Sequence, residues 1–112
     1  MAGTTSPRSL VQNISSYTGT AAALALDLGR VPFACMFFNM TDGDTAWFWI
    51  NGMPSNQAYV IATTASLDYA KILATQSCVS LLDGSAGTAI GLQIGTNSFV
   101  NESGKAYQGF YI

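Results

Sequence analysis

The chain has 112 residues, enough for one domain built around a single core. Apolar residues make up 49% of it and charged residues only 9%, against about 25% in a typical soluble domain, so it lacks the mixed charged surface that keeps a monomer dispersed. The net charge of −2, with Arg8, Arg30, Lys71 and Lys105 scattered singly, excludes the basic stripe that nucleic-acid binding needs.

Residues 1–9 are rich in Gly, Thr and Ser and read as a flexible arm ahead of one domain over residues 10–112. Residues 10–17 read as a strand, broken by Thr18-Gly19-Thr20. In residues 23–28 a period of two puts Leu24, Leu26 and Leu28 on one face. Residues 31–40 run apolar on both faces, which fits a strand covered on both sides, as a sandwich interior or an interface. Pro32 cannot donate to a ladder and marks the start of that strand. A turn at Thr41-Asp42-Gly43-Asp44 leads into residues 45–50, where alternation aims Trp47 and Trp49 the same way. Asn51-Gly52 is the strongest hairpin signal in the chain, and residues 58–64 read as the return strand.

Residues 66–76 are ambiguous. A helix capped by Ser66 puts Tyr69, Ile72, Leu73 and Gln76 on one face, whereas a strand groups Leu67, Tyr69 and Lys71. The reading leans to irregular or partly helical structure, with a short helix near residues 66–76. Short strands follow at 78–82, 89–94, 98–100 and 105–112, separated by turns rich in Gly, Asn, Asp and Ser. About eight short strands at this spacing predict an all-β fold, an antiparallel β-sandwich of jelly-roll-like form.

Much usual catalytic chemistry is missing. There is no histidine, which removes the commonest general base and metal ligand together, and a Ser-His-Asp or Cys-His nucleophile with it. Neither standard phosphate-binding glycine loop is present. Asp42, Asp44, Asp83 and Glu102 lie in or beside turns, where such side chains bond backbone amides, so turn chemistry outweighs a glycosidase pair. Asp42-Gly43-Asp44 matches only a fragment of a calcium loop. Cys35 and Cys78 read as buried free thiols, since one pair makes no disulfide framework. The sequons at Asn13, Asn39 and Asn101 read as chance. No enzyme activity, cofactor or metal is expected.

Residues 1–7 show no cationic start followed by an apolar stretch, so a protein made in a cytoplasm is expected. The longest apolar runs, 21–26 and 31–38, are too short for a membrane-spanning helix, and no membrane partner is expected. Sparse charge with abundant Phe, Tyr, Trp and Met is the composition of interface cores. On aromatic and apolar character, Phe37, Phe38, Trp47, Trp49, Tyr107, Phe110 and Tyr111 are the interface candidates. About half of them are expected to be plain core, because core and interface draw on the same residue types. Trp47, Trp49, Tyr59, Tyr107 and Tyr111 form the alternative set, a stacking platform for a carbohydrate.

Asp83-Gly84-Ser85, the strand Gly91-Leu92-Gln93-Ile94-Gly95, the turn Val100-Asn101-Glu102-Ser103-Gly104-Lys105-Ala106-Tyr107 and the closing Gln108-Gly109-Phe110-Tyr111-Ile112 resemble the end of a β-sandwich module from structural proteins of tailed bacteriophages. Tyr17-Thr18-Gly19-Thr20 and Leu26-Asp27-Leu28-Gly29-Arg30-Val31-Pro32 resemble its opening hairpin. The resemblance covers about half the chain and leaves residues 41–80 unplaced. It implies a virion component at the capsid surface, made in the host bacterial cytoplasm and most similar to a capsid decoration (cement) protein. Such a protein forms an oligomer with itself, commonly a homotrimer, and bridges neighbouring major capsid protein subunits. The competing function is a carbohydrate- or receptor-binding module of a phage tail or fibre.

Overall fold

The structure is a computed structural model that describes residues 13–64, 67–87 and 89–112. Among the described residues, nine antiparallel strands form two sheets: β1 (Ile14–Thr18), β2 (Leu24–Asp27), β3 (Ala34–Asn39), β4 (Thr45–Ile50), β5 (Ala58–Thr64), β6 (Leu67–Leu73), β7 (Val79–Asp83), β8 (Ile90–Ile94) and β9 (Ala106–Tyr111). The larger sheet has the order β1-β9-β3-β4-β5-β6 and the smaller the order β2-β8-β7. The chain runs β3 to β6 as a meander and crosses twice to the small sheet. It then returns to lay β9 between β1 and β3, so the two ends of the domain are hydrogen-bonded together. The expected all-β sandwich is the fold.

Alternation builds the core. Cys35 and Phe37 of β3, Trp47 and Trp49 of β4, and Ala58, Val60 and Ala62 of β5 point inward from the large sheet. They meet Leu26, Val79, Leu92 and Ile94 of the small one. Phe37 stacks on Trp47 with ring centroids 5.0 Å apart, and Tyr17 on Tyr107 at 4.8 Å. The Tyr17 hydroxyl accepts from Trp47 Nε1 at 2.9 Å and donates to the Val100 carbonyl at 2.6 Å. Burial, opposed by the Trp47 hydrogen bond, pushes the Tyr17 phenol far above its ordinary value, so it is a structural hydroxyl.

Two buried asparagines hold the loops. Asn39 Oδ1 accepts from the Thr41 and Asp42 amides at 3.0 Å each and shapes the β3–β4 turn. Asn101 Oδ1 accepts from the Thr20 amide at 2.7 Å, while its Nδ2 donates to the Ala22 and Gly95 carbonyls at 2.8 and 2.7 Å. That side chain ties the β1–β2 loop to the segment after β8. Both amides are spent inside the fold, so neither sequon presents a free acceptor.

Four expectations need correction. The short helix near residues 66–76 does not form: Leu67–Leu73 is β6, because pairing with β5 satisfies its backbone along seven residue pairs. Leu73 fits the strand period by falling on the buried face opposite Ala58. Residues 98–100 form a turn in place of a strand, held by the Val100 and Asn101 amides donating to the Asn97 carbonyl. Strand β3 starts two residues beyond Pro32, and the Asn51-Gly52 turn uses positive φ only at Gly52, at 112°. The arm expected over residues 1–9, the start of the first expected strand and Ser66 lie outside the described residues.

Candidate functional site

Alternation also decides what the large sheet shows on its other side. Strands of an antiparallel sheet with one wet face carry polar residues there. This sheet carries mostly apolar ones. Its register aligns Ile14 with Phe110, Phe110 with Met36, Met36 with Phe48, Phe48 with Tyr59, and Tyr59 with Ile72. One apolar side chain from each of six strands thus forms a row across the whole outer face. The neighbouring row reads Ser16, Gln108, Phe38, Ala46, Ile61 and Ala70. None of these twelve residues is charged.

Cross-strand pairs support the row. Phe48 and Tyr59 meet edge to face with centroids 5.8 Å apart, the favoured geometry for an aromatic pair. Ile14, Phe38, Ile50, Ile61, Ile72 and Phe110 on this face, with Met40 and Ile112 at its margins, are each 38 to 58% exposed. They are eight of the eleven exposed large apolar residues among those described. At roughly 150–250 Å² for a whole side chain of this size, the eight leave on the order of 700 Å² of apolar surface in water, above the roughly 300–600 Å² of the largest patch on a typical monomer. Two shallow depressions break the face. One of about 310 Å³ lies between Phe38, Met40, Ala46 and Ile61, with Asp44 and Thr63 also in its lining, and one of about 140 Å³ between Met36, Phe48, Phe110 and Ile112.

The sequence candidates divide by strand parity. Phe37, Trp47, Trp49 and Tyr107 are at most 1% exposed and lie in the core, closed to any partner. Tyr111 packs half-buried against the core, with the Arg30 guanidinium 5.1 Å from its ring centre. Phe38 and Phe110 alone of the seven stand on the outer face. The carbohydrate platform loses Trp47, Trp49 and Tyr107 for the same reason, and Tyr59 stands on the opposite face from them. Sequence reasoning missed Ile14, Met36, Phe48, Ile61 and Ile72, and named Tyr59 only for the carbohydrate platform. Their signal was present in strands apolar at both parities, but choosing the largest aromatics selected what the core had already taken.

Chemistry elsewhere is sparse. Among the described residues no group of three or more His, Cys, Asp or Glu side chains is placed to hold a metal. No helix among the described residues is long and apolar enough to cross a membrane. Cys35 and Cys78 are free and buried, and burial pushes their thiols up to about 12 and about 11, which leaves both largely protonated at neutral pH. Lys105 and Asp42 form a half-exposed ion pair at 3.2 Å beside the β3–β4 turn. The feature of this molecule that asks for a partner is the outer face of the large sheet. No protein-family model, no curated protein and no solved structure matches the chain.

Proposed function

We propose that this chain is a structural assembly subunit, which works by covering the outer face of its large sheet within a multi-subunit particle. The uncharged apolar row from Ile14 to Ile72 carries the reading, because water-exposed apolar surface of this size marks an interaction site. The partly buried tier of Met36, Phe48 and Tyr59 beneath more exposed neighbours resembles half of an interface core. The sequence resemblance supplies the particle: a tailed-phage head, on which the protein acts as a decoration subunit that bridges neighbouring major capsid subunits.

Co-sedimentation of the purified chain with undecorated phage heads tests this. The wild type is expected to travel with the heads, and Phe110→Glu to stay at the top of the gradient. A wild type that also stays at the top ends the decoration reading.

A further inference from the structure

We infer that the outer face of the large sheet is covered by a second copy of this chain, packed sheet against sheet about a two-fold axis. The inference rests on the assembly reading and names the partner in the first step of that assembly.

Three observations favour a second copy. The two central rows carry no charge, so the middle of the face offers nothing with which to steer or register a charged partner. Its most suitable counterpart is equally apolar, flat and wide, and the chain's own face is that surface. The second observation is area: on the order of 700 Å² of exposed apolar side chain per copy approaches the roughly 800 Å² that each partner buries in a standard interface. The third is symmetry. A two-fold contact uses one patch twice, whereas a three-fold ring needs two different complementary patches on each subunit. Only Phe33, Leu81 and Ile90 remain as exposed large apolar residues away from this face among those described, too few for a second patch of similar size.

The packing mode follows from the sheet. Two faces of this kind approach to about 10 Å and interdigitate their side chains. The depressions flanking Phe38 and Phe110 give room for the protruding Ile and Phe side chains of the other copy. Ser16, Thr18 and Gln108 supply a polar border at the β1–β9 corner, as the rim of an interface requires. The resulting unit presents two identical small sheets outward, so it can hold two neighbouring shell subunits at once.

Light scattering on the full chain over a dilution series is the test. The expected mass is twice the chain's 11.8 kDa. Ile61→Asp and Phe110→Glu each place a charge on the face without touching the core, and each is expected to weaken association by on the order of 100-fold. Leu81→Glu, on the small sheet, is expected to leave the dimer intact. Circular dichroism showing an unchanged β spectrum and a cooperative melt confirms that the variants are folded. A monomeric wild type, a trimer, or a dimer that survives both face variants and dissociates with Leu81→Glu overturns the inference. The two readings fail separately: a dimer that ignores phage heads refutes the decoration function alone, and a monomer that binds heads through Phe110 refutes the two-fold pairing alone.

Discussion

Replacing Asn101 by alanine removes three side-chain hydrogen bonds of 2.7 to 2.8 Å that join the Thr20 amide to the Ala22 and Gly95 carbonyls. Each net hydrogen bond contributes about 0.5–1.5 kcal/mol, so the loss is about 2–4 kcal/mol. For a domain of this size that corresponds to a fall in Tm of roughly 10–15 °C. Asn101→Asp separates the donor from the acceptor role. It keeps an acceptor for Thr20 but turns a carboxylate oxygen on two carbonyls, which raises the folded-state pKa of the new acid. The native state then binds the proton more tightly than the unfolded chain, so stability falls as pH rises through the window above the unfolded pKa of about 4. The aspartate variant is therefore expected to lie closer to wild type at pH 4 than at pH 7, by urea denaturation followed with circular dichroism. An alanine variant within 1 kcal/mol of wild type, or an aspartate variant equal to wild type at pH 7, refutes the clamp.

The two tryptophans provide a contrast, because Trp47 Nε1 donates to Tyr17 whereas the buried Trp49 Nε1 has no partner among the described residues. Both Trp→Phe variants leave a small void, but only Trp47→Phe removes a hydrogen bond, leaving the Tyr17 hydroxyl with the Val100 carbonyl alone, so it is expected to cost about 0.5–1.5 kcal/mol more by denaturant titration. Cys35 and Cys78, with thiols pushed up to about 12 and about 11, are expected to resist iodoacetamide at pH 8 in the folded protein. Both should label fully in guanidinium, and mass spectrometry showing rapid native labelling of Cys35 would contradict its burial.

Strand positions were legible wherever a period of two ran between turn residues, as at Leu24–Leu26–Leu28 and Leu92–Ile94. The middle of the chain was harder. Leu67–Leu73 carries Ala, Lys and Leu, good helix formers, and becomes a strand because the neighbouring edge of β5 gives its backbone a ladder. Local propensity does not contain that neighbour. The site was half legible: sparse charge announced covered surface, and residues 31–40 announced a strand covered on both sides. Parity alone does not say which face is the core, so Phe37 and Phe38 stood equal in sequence although one is buried and the other 39% exposed. The Asn101 clamp gave no signal, since two of its three partners, Thr20 and Ala22, lie 81 and 79 residues away in the chain.

The same parity makes the two faces separable in energy. Trp47, Trp49 and Phe37 pin β3 and β4 from beneath, with Phe37 and Trp47 stacked at 5.0 Å, and the side chains above them alternate with these anchors along the same strands. Met36, Phe48 and Ile61 are therefore held on a rigid backbone before any partner arrives. Ordering costs of about 0.5–1.5 kcal/mol per immobilised side chain are correspondingly reduced, and more of the apolar area is left to favour association. Ser16, Thr18 and Gln108 gather at the β1–β9 corner and Thr63 stands near the end of β5, so the uncharged apolar part of this face is centred on β3, β4 and the adjoining part of β5, where the support from the core is strongest. On the proposed pairing, a subunit built this way folds first and assembles afterwards. That order is why a charge placed at Ile61 or Phe110 is expected to act on the proposed pairing while leaving the fold in place.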